Sequence, residues 1–195
     1  MDHDVMPTGP GFRVLPGARL SAFLAHHVRP VTGVAASAAV VLALMAEGHG
    51  LVRSAVIGGG WGLCMLYAVQ LRGLRRNDGS ASWSGVLLAA LAFPGVLVPP
   101  LVGPDALLTV LDHTALPLAA VYIAAKLGCH RIGCCDFPRR PRGGLSLPMR
   151  EVLATATIAV LAGCVLLADA PNGLGFLVFL LLHVASWQAA KRYRA

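Results

Sequence analysis

The sequence predicts an all-α fold, a polytopic membrane bundle of about six transmembrane helices. Hydrophobic residues make up 56% of the 195 residues and charged residues only 13%, with a mean hydropathy of +0.70. Soluble domains carry about a quarter charged residues. Apolar runs of roughly 17–25 residues, which can cross a bilayer as helices, recur along the chain. The cationic residues fall almost entirely in alternate connecting segments, as expected of a multi-pass protein.

Six apolar runs predict the helices, in the order 31–47, 51–71, 83–102, 106–127, 151–168 and 174–190. The second contains three consecutive glycines, Gly58 to Gly60, which would allow the close backbone approach that packs helices in lipid. The third contains three prolines, which predict a kink or a partly re-entrant span. The fourth is interrupted by Asp112, His113 and Pro117.

The segments outside these runs complete the expected organisation. Residues 1–30 lack a compact apolar stretch ending in a small-residue cleavage site, so no cleavable signal is expected and they form an N-terminal segment. Residues 31–190 form the membrane domain, which includes a cysteine-rich basic loop at 128–150. Residues 191–195 form a basic tail.

Cationic residues predict the orientation. Fifteen of the sixteen Lys and Arg residues lie on one side of a six-span arrangement, and only Arg53 lies on the other. Because short cytoplasmic loops are enriched in Lys and Arg, both termini and the cysteine-rich loop are expected in the cytoplasm, where thiols stay mainly reduced. The net charge of +7 suits a surface of anionic lipids. Nucleic acid is not an expected partner, because no recognition motif accompanies the charges.

Three of the five cysteines, Cys129, Cys134 and Cys135, lie within seven residues at the end of the fourth run. If that helix continues to Gly133, then Lys126, Cys129, His130 and Gly133 share one face. A cation one turn before Cys129 would favour its thiolate. The same face could instead hold a phosphate through Lys126, Arg131 and backbone amides. The plainer alternative is helix packing, since cysteine is a common small filler.

A metal site is the second alternative. Cys129, His130, Cys134 and Cys135 offer four candidate ligands, and a non-catalytic membrane protein that binds a metal ion through them is the competing hypothesis for function. Structural zinc sites usually present two pairs of ligands, each pair two to four residues apart. The chain has no C-x-x-C in this segment, and adjacent Cys134 and Cys135 chelate one ion poorly. No metal or other cofactor is therefore expected.

The remaining polar residues and cysteines of the apolar runs could have functional or purely structural roles. Asp112 and His113 either face a cavity as functional groups or sit at the mouth of a helix that begins near Thr114 and cap it. His183 is expected to be a hydrogen-bonded core histidine. Glu151 is expected to open the fifth helix, where a glutamate either complements the helix dipole or orients an arginine of the site. Cys64 and Cys164 are expected to be packing residues.

The pattern Lys126-x-Gly128-Cys129-x-x-x-Gly133-Cys134-Cys135 resembles the cysteine-rich branch of the prolipoprotein diacylglyceryl transferase family, which reads R-x-G-C-x-x-x-G-C-C. The resemblance covers about residues 105–137, including an aspartate and a proline entering the same helix. It extends weakly to Glu151 and into the last span. Lys126 stands where the family has its signature arginine. Cys129 and Cys134 stand at positions that hold asparagine and glutamate in the lipoprotein enzymes.

The resemblance implies a membrane-embedded transferase that moves a group from an anionic phospholipid, such as phosphatidylglycerol, or a related lipid to an acceptor that the sequence does not identify. The lipoprotein enzymes act at the outer face, whereas the charge asymmetry puts this segment inside, so a divergent relative in the bacterial cytoplasmic membrane is expected. The residues expected to act in catalysis are His130, Asp112, His113, Cys129 and Cys134. Those expected to bind the substrate are Lys126, Gly128, Arg131, Gly133, Cys135, Arg150 and Glu151.

Overall fold

Six α-helices make up almost all of the described chain. The computed structural model describes residues 16–76, 83–132, 145–168 and 170–192, and within them the side chains of 31–68, 86–127, 145–168 and 170–190. The helices are α1 (Pro16–Ala46), α2 (Leu51–Arg76), α3 (Trp83–Val102), α4 (Ala106–Ile132), α5 (Leu147–Leu167) and α6 (Leu174–Arg192). No strand occurs in these described ranges, and the predicted all-α class is confirmed.

Four helices extend well beyond their predicted spans at one end. α3 begins and ends where the apolar run does, but α1 begins at Pro16 rather than at residue 31, and α5 begins at Leu147 rather than at residue 151. α2 and α4 run past their apolar stretches to Arg76 and Ile132. An apolar run marks the part of a helix that tolerates lipid, whereas the backbone hydrogen bonds of a helix continue into polar sequence. Helix length was therefore underestimated where these four helices continue into the polar sequence that flanks their apolar stretches.

Three of the described helices contain stretches that are long and apolar enough to cross a membrane, namely Leu51–Ala68, Ala106–Leu127 and Leu147–Leu167. The other three contribute shorter apolar stretches, namely Val31–Ala46, Val86–Val102 and Leu174–Ala190. Large apolar side chains such as Leu88, Val96 and Leu181 point outward and are more than half exposed. An outer surface of this kind suits a lipid environment, and the composition is compatible with a membrane protein.

α4 is the central helix of the bundle. It packs against α1, α3, α5 and α6, while α1 also packs on α2, α2 on α3 and α5 on α6. Leu118 of α4 is fully buried, as are Leu44 of α1, Trp61 of α2 and Phe179 of α6. This arrangement brings side chains of α4 against α1 on one side and against the α5–α6 pair on the other.

The third run forms one continuous helix despite its three prolines. α3 extends over Trp83–Val102 with Pro94, Pro99 and Pro100 inside it. Each proline removes one backbone donor, but neighbouring bonds hold the rest of the helix. The carbonyl of Pro99 accepts the N–H of Gly103, which ends the helix with a φ of 101°.

Gly58 sets the distance between α1 and α2. A Cβ atom at this position would lie 2.6 Å from Val41 Cγ2 and 3.1 Å from the carbonyl oxygen of Ser37. A Cβ atom at Gly60 would likewise clash with the ring of Phe93 on α3. A Cβ atom at Gly59 would have nothing within 4 Å. The predicted close approach of helices at the glycine triplet is therefore confirmed for two of its three members.

Candidate functional site

Polar and aromatic side chains from α4, α5 and α6 meet in the interior of the bundle. Each helix contributes two residues spaced four apart, and such residues lie on one helix face. Because the three helices pack on one another, these faces converge. The resulting set, called the Lys126 cluster below, consists of Tyr122 and Lys126 from α4, Glu151 and Thr155 from α5, and Phe179 and His183 from α6.

A buried ion pair forms the charged part of the Lys126 cluster. Lys126 Nζ lies 2.5 Å from Glu151 Oε2, and the two side chains are only 12% and 4% exposed. The ammonium also lies 5.3 Å from the centroid of the Tyr122 ring, within the range of a cation–π interaction. Removing two charges from water is costly, so a buried pair is weak evidence for stability. Ionisable residues in membrane-spanning segments commonly mark substrate or ion sites, which makes this pair the candidate site if the bundle spans a membrane.

His183 packs against the two aromatic rings of the cluster. It is 1% exposed, stacks on Phe179 at 5.3 Å between ring centroids and meets the Tyr122 ring edge-on at 4.5 Å. Its Nδ1 lies 3.5 Å from Thr155 Oγ1, at the outer limit of a hydrogen bond. These contacts agree with the expected hydrogen-bonded core histidine, but they also put His183 beside Tyr122 and Thr155, next to the ion pair.

The cysteine-rich segment begins one turn beyond the ion pair. α4 continues to Ile132, as a shared face with Cys129 and His130 requires. Gly128 lies within α4, and the side chains of Cys129, His130 and Arg131 lie outside the described residues. All of Gly133, Cys134 and Cys135 lies outside them as well. The expected roles of these residues therefore stay predictions.

The start of α5 differs from the prediction for Glu151 and directs Arg150 away from the Lys126 cluster. Glu151 is the fifth residue of α5, not part of its first turn, and it faces Lys126 rather than complementing the dipole of its own helix. The helix starts earlier than expected because Pro148 occupies its first turn, where a missing N–H costs nothing. Arg150 points away to an exposed position, where its Nε donates to the carbonyl of Leu145 at 3.1 Å.

Asp112 has a clear structural partner on another helix. Its Oδ2 accepts the backbone N–H of Gly173 at 2.6 Å, and its Oδ1 accepts that of Phe176 at 2.7 Å. α4 begins at Ala106, so the alternative in which a helix starts near Thr114 and is capped by this pair is wrong. Asp112 instead caps the first turn of α6.

His113 belongs to a different polar group at the same end of α4. Its Nε2 lies 2.6 Å from Glu47 Oε1, and the other oxygen of Glu47 lies 3.9 Å from His49. At 1.5 Å per residue, His113 lies about 20 Å along α4 from Lys126. Asp112 and His113 are thus not brought together with the predicted phosphate-binding residues. Within the described side chains, no group of three His, Cys, Asp or Glu residues could hold a metal ion.

Of the predicted site residues whose side chains are described, the structure unites Lys126 with Glu151. Tyr122 and Thr155 were not expected there, and His183 was assigned to the core. The sequence does contain a signal for this cluster. Each of the last three helices carries two polar or aromatic residues four positions apart, which lie on the same helix face. Periodicity alone does not reveal that three such faces meet.

No protein-family model, curated protein or solved structure matches this chain.

Proposed function

We propose that this chain is a six-span membrane protein that binds the headgroup of an anionic phospholipid, or a related lipid, at the Lys126 end of α4 and transfers a group from it. Three membrane-length apolar stretches and an apolar outer surface support the membrane setting. Fifteen of sixteen cationic residues on one side support cytoplasmic termini in a bacterial inner membrane.

The observation that carries the proposal is the buried Lys126–Glu151 pair. A phospholipid headgroup lies where the hydrocarbon meets water, and Lys126 follows 20 residues of α4 and precedes the basic segment. A cation there attracts a phosphate, and a carboxylate beside it can accept a proton. The two groups together supply what a phosphate-releasing transfer requires: a site for the leaving phosphate and a base for the incoming group.

The proposed reaction is a displacement at carbon. An acceptor thiol or hydroxyl attacks the lipid carbon that carries the phosphate ester oxygen, and a new carbon–sulfur or carbon–oxygen bond forms as the old carbon–oxygen bond breaks. The phosphate leaves with the electron pair of the broken bond and remains paired with Lys126. The proton of the acceptor passes to the Glu151 carboxylate. His130 and Arg131 would complete the site together with Cys129, Cys134 and Cys135, which stand at the positions that the family resemblance marks.

Lipid mass spectrometry of membranes tests the proposal. Cells that contain the protein should accumulate a lipid-modified product, or lose a donor lipid, relative to cells that lack it. Lys126→Ala should abolish this difference, and Lys126→Arg should retain it, because arginine also carries a charge that binds phosphate. Arg53→Ala removes one cation at the other end of the bundle and should leave the lipid profile unchanged. Identical profiles with and without the protein would contradict the transferase.

A further inference from the structure

The Lys126–Glu151 contact has a consequence for how a donor lipid enters. We propose that Glu151 competes with the lipid phosphate for Lys126, so that donor binding displaces the carboxylate and thereby makes it available as the proton acceptor. This inference rests on the proposed function, since it assumes that an anionic headgroup binds at Lys126. It adds a coupling between the binding of the donor lipid and the deprotonation of the acceptor.

The distance between the charged atoms makes competition unavoidable. At 2.5 Å, Lys126 Nζ and Glu151 Oε2 are in direct contact, with no space for a phosphate oxygen between them. The ammonium has two further hydrogens, but a phosphate bound there would lie beside a carboxylate of the same charge in a site where both side chains are nearly excluded from water. Like charges in such surroundings repel strongly. A phosphate at Lys126 therefore requires that the Glu151 carboxylate move away from the ammonium.

The cluster offers a second position for the displaced carboxylate. Thr155 lies one turn further along α5 on the same face as Glu151, and its hydroxyl lies 3.5 Å from His183 Nδ1. A carboxylate that rotates toward Thr155 meets a hydroxyl donor and, beyond it, an imidazole. A buried carboxylate needs such hydrogen-bond partners once its counter-ion is taken. This gives the buried Thr155 and His183 a role in the same site.

This competition makes donor binding precede the activation of the acceptor. While the donor site is empty, the ammonium of Lys126 holds Glu151, so this carboxylate is not available to an acceptor that arrives. Once the phosphate has replaced the carboxylate, the base is released next to the lipid carbon that reacts. The acceptor is therefore activated only in the presence of the donor.

Lipid binding by variants of Glu151 tests the competition. Short-chain phosphatidylglycerol is titrated calorimetrically into the detergent-purified full chain, with short-chain phosphatidylcholine as the neutral reference. Glu151→Gln removes the competing charge and should tighten phosphatidylglycerol binding by about tenfold, the lower range of coupling between close charge pairs, while abolishing transfer. Glu47→Gln makes the same change in net charge at the other end of the bundle. It should leave binding within about twofold of the unaltered protein, since long-range screened charge contributes little.

The outcomes separate this inference from the function on which it rests. Unchanged or weaker phosphatidylglycerol binding by Glu151→Gln would overturn the competition and make Glu151 a contact for the headgroup. Equal tightening by Glu47→Gln would overturn it too, because only bulk charge would then matter. If Glu151→Gln fails to fold, Glu151→Asp, which retracts the carboxylate from Lys126, should tighten binding by a few-fold, and weaker binding would overturn the inference. Equal binding by the unaltered protein and Lys126→Ala would instead remove the proposed function itself.

Discussion

Asp112 on α4 caps α6, accepting the backbone N–H of Phe176 at 2.7 Å with one carboxylate oxygen. The other oxygen accepts the N–H of Gly173, the residue before the helix, at 2.6 Å. In a capping box these two donors are satisfied by side chains of the first turn of the helix itself. Gly173 has no side chain and a φ of 88°, so α6 takes its cap from a neighbour. The carboxylate thereby links α4 to α6 at the end of the bundle opposite the Lys126 cluster.

This link makes a prediction about stability. Asp112→Ala leaves two backbone donors without an acceptor and should lower the free energy of unfolding by about 2 kcal/mol, which thermal denaturation in detergent measures as a lower midpoint. Asp112→Asn keeps one acceptor and should lose less. His113→Gln, at the adjacent position, should cost under about 1 kcal/mol because its pair with Glu47 is partly exposed to solvent. An Asp112→Asn protein that melts normally but has lost lipid transfer would contradict a purely structural role.

The role of Asp112 shows where sequence reasoning reaches its limit. The sequence offered either a functional carboxylate or a cap on the same helix, because both depend only on residues nearby in the chain. A cap on α6 depends on Gly173, sixty-one positions away, being next to α4. Composition and apolar runs predicted the helical class and both ends of α3, since those depend on local sequence. The contacts between distant helices do not.

The Lys126–Glu151 pair illustrates the same limit at the candidate site. Both residues were predicted to bind substrate, Lys126 from its position near the cysteines and Glu151 from the resemblance. Their direct contact depends on how α5 is rotated about its axis, which its sequence leaves open because apolar residues cover most of its surface. Tyr122, Thr155 and His183 were missed for the same reason. The cluster is recognisable only when three helices are assembled.

The glycine triplet of α2 provides a matched test of helix packing. Gly58→Ala would place a methyl group against Val41 and the backbone of Ser37, so α1 and α2 must separate, at a cost of about 1–3 kcal/mol. Gly59→Ala enters open space and should be neutral or stabilising by up to about 1 kcal/mol, from helix propensity. Thermal midpoints of the two variants give the comparison. Equal midpoints would show that α1 and α2 do not approach each other at Gly58.

The charge asymmetry predicts the sidedness of the chain. A membrane-impermeant maleimide added outside intact cells should not label Cys134 or Cys135, because the cationic segment that follows them is expected in the cytoplasm. Asp105→Cys provides the positive control, since Asp105 is exposed between α3 and α4 at the other end of the bundle. The variant should react from outside. Rapid external labelling of Cys134 would contradict the arrangement with both termini inside.

The buried ion pair predicts strong coupling between its two members. Lys126→Met leaves the Glu151 carboxylate buried without its counter-ion, and Glu151→Gln leaves the ammonium in the same position. Each should lower the free energy of unfolding by about 3–5 kcal/mol, as breaking a buried pair does. The double variant buries neither charge and should recover most of that loss, because a neutral pair avoids the desolvation of two ions.

Thermal midpoints of the unaltered protein, both single variants and the double variant complete the cycle. A coupling energy of at least about 1.5 kcal/mol is expected from contacting charges. The same substitutions also test lipid binding. The double variant should be stable but unable to bind phosphatidylglycerol, because no cation remains in the cluster. Additive losses in the cycle would mean that Lys126 and Glu151 are not in contact. A stable double variant that still binds the lipid would place the headgroup elsewhere in the protein.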